Sequence, residues 1–410
     1  MKTNRLLDSE THTDLYPEKI KTDKIWNPLF TTVFVANIIM NLGLQMTNAI
    51  ISKYADHLGS TATITGLVTS IFAVTALIFK LVSGPAIDTY NKKYILMFSM
   101  CILMIAQIGY CFSGTIPLLI LFRLIQGAGL AFSVTCALAL AADALPPEKF
   151  GTGIGYFSLG QVVAQALGPT IGLLLLELVG YNTTFIIGAA VMFSGILAAT
   201  RIRVTHTTTK KLVINLKSVI AKEAVLPALI MFLLTVAYYT INSFLVIYAN
   251  GRGVGAGIGT FFTVYAVTML FTRPLIGKLS DRYGTVKVLI PALLCFALSF
   301  LIISYSASLP SFLIAAVVSA CGYGASQPAI QSLSMKCVAK ERRGSASSTN
   351  YIGNDLGTLI GPVAAGAVAE LTGYAAMWRI MIAPMLLAMV LLLIYHSKIQ
   401  NIEKSFQSLQ

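Results

Sequence analysis

The sequence predicts an all-α membrane protein with twelve transmembrane helices in two six-helix repeats. Three observations predict it. The 410 residues are 56% hydrophobic and only 11% charged, whereas a soluble domain carries about 25% charged residues. Apolar stretches of about 20 residues, each long enough to span about 30 Å of hydrocarbon, recur along almost the whole chain. The second half of the chain also repeats the first at one fixed offset.

Apolar windows place six spans at 28–51, 61–83, 94–113, 116–141, 152–177 and 182–200. A second set falls at 224–248, 256–279, 287–306, 309–335, 345–369 and 373–396. The chain then divides into a polar tail (1–27), a first half (28–200), a basic linker (201–223), a second half (224–396) and a short tail (397–410). No cleavable leader is evident, because no small-residue cleavage site follows the first apolar run. The 1–27 stretch reads as a disordered cytoplasmic tail. In 211–222 apolar and basic residues alternate at helical spacing, which fits a surface-lying linker helix.

The net charge of +13 would suggest nucleic acid in a soluble protein. Here the basic residues lie between apolar spans, so the cause is topological. With the N-terminus in the cytoplasm, inside segments hold 23 of the 29 Lys and Arg, and outside loops hold only Lys53 and Arg252. The other four, Lys80, Arg123, Arg273 and Arg379, fall within spans. That asymmetry predicts both termini inside the plasma (inner) membrane and an even number of spans.

A shift of 193 residues superposes Gly66 on Gly259, Lys80 on Arg273, Gly84 on Gly277 and Asp88 on Asp281. It continues with Gly160 on Gly353, Gly168-Pro169 on Gly361-Pro362 and Gly180-Tyr181 on Gly373-Tyr374. One ungapped offset over so long a stretch implies two halves with the same membrane orientation, a parallel repeat known among transporters.

Three motifs carry chemistry. Gly84-Pro85-Ala86-Ile87-Asp88-Thr89-Tyr90-Asn91-Lys92-Lys93 follows span two, and Gly277-Lys278-Leu279-Ser280-Asp281-Arg282-Tyr283-Gly284 follows span eight. Their glycines suit a tight loop and close helix approach. Asp88 and Asp281 can accept from a neighbouring helix N-terminus and latch the cytoplasmic side. These segments resemble the loop signature G-x-L-x-D-R-x-G-R-[RK] of the major facilitator superfamily. Arg282 matches it, whereas Thr89 and Asn91 replace the usual Arg and Gly in the first copy. The second motif, Arg123-Leu124-Ile125-Gln126-Gly127-Ala128-Gly129, is similar to that family's R-x-x-Q-G-x-G element. A charge at mid-membrane costs about 2.5–3.5 kcal/mol and faces a cavity or a partner. The resemblance makes Arg123 a candidate for proton coupling or for binding an anionic group; the plainer reading is a hydrogen-bond hub between helices.

The third motif is Gly160, Gly168, Pro169 and Gly172 in span five, which with Ala164 forms a small-residue stripe. Such stripes let helix backbones approach, and Pro169 can bend the helix. Span eleven repeats the stripe with Gly353, Gly357, Gly361 and Pro362, as expected at the interface between halves. This third motif resembles the antiporter signature of the twelve-span drug:proton antiporter branch, which implies export. The resemblance extends over roughly residues 28–396, and a monomer is the family expectation.

The candidate polar lining comes from spacing. Asn37, Asn41, Gln45 and Asn48 lie within about an 80° arc of span one, and amides on one face of a lipid-embedded helix point inward. Span seven adds Tyr238, Tyr239 and Asn242, and span five adds Gln161 and Gln165. These are candidates for substrate binding or for gluing helices together. The acid to watch is Asp355, about ten residues into span eleven. Desolvation raises a carboxyl's pKa at such depth and suits it to carry a proton; the alternative is a structural pair with Arg379 or another buried base. Span one has no acid, so suspicion of proton coupling falls on Asp355 and Arg123.

No nucleophile–base pair, cofactor motif or metal-ligand spacing stands out. The six cysteines form no C-x-x-C pair and read as free thiols. With no phosphate-binding G-x-x-x-x-G-K-[ST], an ATP-driven pump within this chain is not expected. The sequence therefore predicts a secondary transporter, not an enzyme. Its expected work is proton-coupled efflux of a small organic molecule, a drug or metabolite, by alternating access. Proton-coupled uptake of a sugar or organic solute is the alternative within the class, and a non-transporting receptor the alternative outside it.

Overall fold

The computed structural model describes residues 24–146, 150–203, 221–338 and 342–407. Among them there is no strand and little besides helix. Residues 1–23 of the expected tail (1–27) and 204–220 of the expected linker (201–223), with most of its expected helix (211–222), lie outside the described residues.

Helix α1 (Pro28–His57) starts where Asn27 accepts from the Phe30 amide at 2.9 Å and Pro28 occupies the first turn, a position that needs no amide donor. It runs past the apolar window to His57, because nothing breaks it before Gly59, with φ 80°. The second expected span is two helices, α2 (Ala62–Ser70) and α3 (Phe72–Thr89), which meet at Ile71. Next come α4 (Lys92–Cys111), capped by Asn91, and α5 (Ile116–Asp143). The stretch α6 (Phe150–Thr200) is broken at Gly180. The rest is α7 (Val225–Gly251), α8 (Gly259–Tyr283), α9 (Thr285–Tyr305), α10 (Leu309–Lys336), α11 (Arg343–Thr372), α12 (Tyr374–Ile380), α13 (Ala383–Ile394) and α14 (His396–Gln407). The stretch read as a C-terminal tail is thus largely helical.

Among the described residues, nine helical stretches are long and apolar enough to cross a membrane. Tyr156–Thr200 counts as one of them, although its 45 residues far exceed one crossing. Helices α8 and α11 are not among the nine. Their Gly, Ser, Thr, Asn and charged residues dilute the hydropathy that defines such a stretch.

Two sequence expectations need correction. The first loop motif is not a loop at its glycine: α3 continues through Gly84, Pro85 and Asp88 to Thr89, and only Tyr90 and Asn91 turn the chain. A Cβ at Gly84 would meet nothing within 4 Å, so no close approach uses that glycine in this conformation. Likewise α8 runs helically through Gly277, Asp281 and Arg282 to Tyr283, and Gly284 (φ 89°) makes the turn. The side chains of Asp88, Asp281 and Arg282 lie outside the described residues. The second correction concerns the stripe glycines alone. They pack within each set of spans, with α6 on α1 and α11 on α7, whereas the two helices meet the other half through other positions, Pro362 against Gly66 and Thr170 against Gly259. A Cβ at Gly168 would stand 2.5 Å from Gln45 Cβ, and one at Gly172 would stand 2.4 Å from the Met46 carbonyl oxygen. Gly160 faces Ile38 in the same way, and Gly353 and Gly361 meet the Ala228 and Val236 carbonyl oxygens of α7.

Large apolar side chains such as Phe98, Phe112, Leu178, Phe271 and Leu371 are exposed around the bundle. A soluble monomer rarely leaves so much apolar surface in water; hydrocarbon covers it in a bilayer. All six cysteines are free. Just beyond α10, burial pushes the Cys337 thiol up to about 11, so little thiolate exists there at neutral pH.

Gly180 (φ 75°, ψ −179°) and Gly373 (φ 81°, ψ 158°) mark equivalent turns under the 193-residue offset. Both conformations belong to glycine, and a Cβ at either position meets nothing within 4 Å. Gly180→Ala and Gly373→Ala should therefore each cost about 1–3 kcal/mol through backbone strain alone. A lower unfolding temperature of the purified protein in detergent checks this.

Candidate functional site

Arg123 anchors the centre of the bundle. It is 2% exposed on α5. Gly127, one turn on, lets α5 close against α3, because a Cβ there would stand 2.0 Å from the Phe72 carbonyl oxygen. The guanidinium then bonds to three helices, its own included. Nε donates to the Val68 carbonyl at 3.0 Å, and Nη2 donates to the Thr69 carbonyl. Nη1 donates to Asn48 Oδ1 at 2.8 Å and to Gln126 Oε1 at 2.5 Å. Gln126 Oε1 also accepts from the Tyr110 hydroxyl at 2.7 Å. The Phe72 ring lies 4.6 Å from the guanidinium carbon. Every hydrogen-bond partner is a neutral oxygen, and through them Arg123 ties α1, α2 and α5 together.

Beside it is a cavity of about 130 Å³, walled by Arg123, Gln45, Asn48, Gln165, Pro169, Tyr238, Tyr239 and Asn242, with Ala49, Thr69, Phe72, Ser243 and Phe262 completing the lining. Four of the six expected substrate residues therefore converge: Gln45, Tyr238, Tyr239 and Asn242. Asn37 and Asn41 do not line it. Asn37 is buried on α1 and accepts from the Asn41 amide at 3.0 Å. They lie two turns and one turn before Gln45 on α1, so one shared arc does not bring all four amides to one depth. Tyr238 stacks on Tyr323, with ring centroids 3.9 Å apart and planes 10° apart, and meets Tyr239 edge-on. A larger open recess, about 370 Å³, lies at Leu301, Ile302, Tyr305, Ser306 and Ser311. It has no convergent charged group and faces outward from the bundle.

Asp355 has a partner, though not Arg379. Lys80 of α3 donates to both of its carboxylate oxygens, at 3.0 and 2.7 Å. Arg379 instead lies 5.9 Å from the Tyr305 ring and donates to the Ala375 carbonyl. The Asp355 side chain is 12% exposed and the Lys80 side chain 36%, so the pair sits at the edge of open space. The pairing spans 275 positions of sequence. Lys80 is the functional candidate that sequence reasoning passed over. The signal for it was its superposition on Arg273, another base inside a span.

Other contacts between residues 28–200 and 221–407 gather at one end of the bundle. Thr63 donates its amide and hydroxyl to Glu370, and Thr69 bonds Ser243 at 2.9 Å. The Thr170 hydroxyl donates to the Gly259 carbonyl at 2.8 Å. Gly66 lies against Pro362 and Gly366 against Ala62, both in backbone contact. At the opposite end, Lys92 pairs with Asp143 and Arg342 with Glu223, each within its own set of spans. The cavity is therefore closed at the Thr63–Glu370 end.

The model of the family described as Major Facilitator Superfamily matches residues 33–258 and again 228–408. The multi-drug resistance efflux pump PmrA of Streptococcus pneumoniae is 25% identical over 87% of this chain and 93% of its own length. The multidrug resistance protein MdtG of Salmonella typhi is 27% identical over 86% and 91%. In fold, the chain resembles the nucleoside transporter NupG, with a TM-score of 0.78 at 14% identity over 88% of this chain and 98% of that one. A peptide transporter, POT, is similar at the same TM-score and 13% identity, covering 91% of this chain and 95% of its own. With its lipid-facing helices and near-full-length family match, the chain belongs to the major facilitator superfamily, a multi-pass membrane transporter similar to drug efflux pumps and not an enzyme.

Proposed function

We propose that the chain exports a small organic molecule in exchange for protons, by alternating access of two six-helix halves. The single observation that carries this reading is the Lys80–Asp355 pair. It is an ion pair within membrane-embedded helices, it joins the two halves, and its carboxylate borders open space. A proton on Asp355 removes the charge that holds Lys80, so protonation and the relative movement of the halves are linked. Arg123, with no acid partner, would serve as the hub that keeps α1, α2 and α5 in register around the cavity.

Several features support the twelve-helix layout. Folding at Gly180 makes α6 two crossings, α2 with α3 makes one, and α12 with α13 makes one. The contacts also repeat under the offset. Gly66 lies against Pro362 and Val363, and Gly259 lies against Thr170, the position equivalent to Val363. With both termini in the cytoplasm of a plasma membrane, the Thr63–Glu370 contact closes the outer side and this conformation opens inward. Asp88 and Asp281 would then latch the cytoplasmic side in the opposite state. The efflux pumps among the relatives favour export.

Everted membrane vesicles with an acidic interior test the reading. Adding cationic, neutral and anionic compounds in turn should dissipate the gradient in wild type, and Asp355→Asn should abolish that response. A full response in the variant moves the proton elsewhere. No response to any compound in wild type, with uptake by right-side-out vesicles instead, replaces export by import.

A further inference from the structure

The membrane-embedded part of this chain holds more base than acid. Lys80, Arg123 and Arg273 lie in its spans, and Asp355, the acid set as deep, is taken by Lys80. The other described ion pairs, Lys92–Asp143 and Arg342–Glu223, lie at helix ends. Among the described residues no carboxylate pairs with Arg123 or Arg273.

The two arginines differ in what they lack. Arg123 has its donors engaged by neutral oxygens. On α8, Arg273 gives Nη2 to Gln327 Oε1 at 3.1 Å, while its Nε is buried with no partner. The hydroxyls of Tyr265 and Thr272, two turns apart on the same helix, are also buried without partners. Buried polar groups are nearly always satisfied, and an unsatisfied one asks for a missing water, ion or ligand. Here the unsatisfied groups can all donate, and they cluster beside a positive charge.

The internal repeat shows what is missing. The offset that lays Lys80 on Arg273 lays Asp355 on Val162. Across one interface the base of the first half finds an acid. Across the other, Val162 is buried with Ala166 and with Ala266 of α8. We infer that the missing acid is supplied by the cargo: the transported molecule is an organic anion, its acidic group held by Arg273 and its planar body against Tyr238 in the cavity. Arg273 stands behind the cavity wall: Tyr238 lines the cavity and its ring packs on those of Tyr265 and Tyr323, the tyrosines whose surroundings include the Arg273 charge. The unpaired charge of Arg123 on the cavity wall adds to the same preference. The inference rests on the transporter reading above and adds its substrate class.

Two permanently charged probes that share one ring test it. Naphthalene-2-sulfonate and 2-naphthyltrimethylammonium are titrated at equilibrium against the purified full chain in lipid nanodiscs. At an effective dielectric near 20, a like charge about 8 Å away costs roughly thirtyfold in affinity, so the sulfonate should bind at least about thirtyfold tighter than the cation. Arg273→Gln should weaken the sulfonate by about tenfold to a hundredfold, the range of one charge-assisted contact, while Arg273→Lys retains the preference for the anion. Val162→Asp, which offers an internal acid without changing the arginine, should erase that preference. The unliganded unfolding temperature of each variant shows whether its fold is kept. Binding of the cation as tight as that of the sulfonate, or no sulfonate binding, overturns the inference. So does sulfonate affinity unchanged in both Arg273→Gln and Val162→Asp. These titrations involve no proton gradient. Sulfonate binding without gradient loss in vesicles would sink the exporter and leave the anion site, whereas gradient loss driven by cations alone would do the reverse.

Discussion

Arg123→Lys should lose transport by tenfold or more while keeping the charge. The guanidinium reaches the Val68 and Thr69 carbonyls, Asn48 and Gln126 at once because its donors are fixed in a planar fork. An ammonium is a point with three donors on a flexible stem, and it cannot span acceptors on α1, α2 and α5 together. Hydrogen bonds inside membrane proteins average about 0.6 kcal/mol each. Losing three of them costs ~2 kcal/mol, enough for roughly a twenty- to thirtyfold fall in the population holding this geometry. Arg123→Leu should be worse, because the acceptors on Asn48 and Gln126 then lose their donor in a water-poor interior and less folded protein accumulates. Initial rates of compound-driven gradient loss, read beside the unfolding temperature in detergent, separate the two effects. Wild-type rates in Arg123→Lys would mean that the charge alone matters and that the fork geometry is incidental.

What was legible in the sequence divides along physical lines. Apolar windows found the helices because a span has a minimum length and few charges, and the repeat found equivalent turns at Gly180 and Gly373 because only glycine adopts that backbone. Helix ends were less legible. α1 outruns its apolar window, and α3 continues through Gly84 and Asp88, because hydropathy reports where lipid ends and not where the helix does. The low hydropathy of α8 and α11 has the same root: helices that meet other helices on several faces need small and polar residues more than apolar ones. For the candidate site, helical spacing selected faces and therefore found Gln45, Tyr238, Tyr239 and Asn242. It did not fix depth, so Asn37 and Asn41 came with them. Partners were the least legible. Asp355 was visible as an acid inside a span, but nothing within its own helix points to Lys80, and the nearer guess, Arg379, is at Tyr305.

Gly66→Leu and Gly172→Leu present nearly the same local clash and should give different phenotypes. A Cβ at Gly66 would stand 2.1 Å from the Pro362 carbonyl oxygen, and one at Gly172 would stand 2.4 Å from the Met46 carbonyl oxygen. In both cases the obstacle is backbone, which cannot swing aside as a side chain does. Gly172 joins α6 to α1, which the alternating-access proposal places within one half, so under that proposal its contact persists in every state. Gly172→Leu should therefore destabilise the fold itself, by about 1–3 kcal/mol as in other overpacked interiors, and lower the unfolding temperature. Gly66 on α2 meets α11 of the other half, at the end where Gly366 also presses on Ala62. That contact belongs to the conformation closed at the Thr63–Glu370 end. Gly66→Leu forbids this state and leaves the opposite one intact, so the variant should fold with near wild-type stability and fail to transport. The pair of substitutions thus asks whether this interface moves. Equal losses of stability in both would mean that the α2–α11 contact is permanent, and a permanent contact there is incompatible with two halves that rock about the cavity.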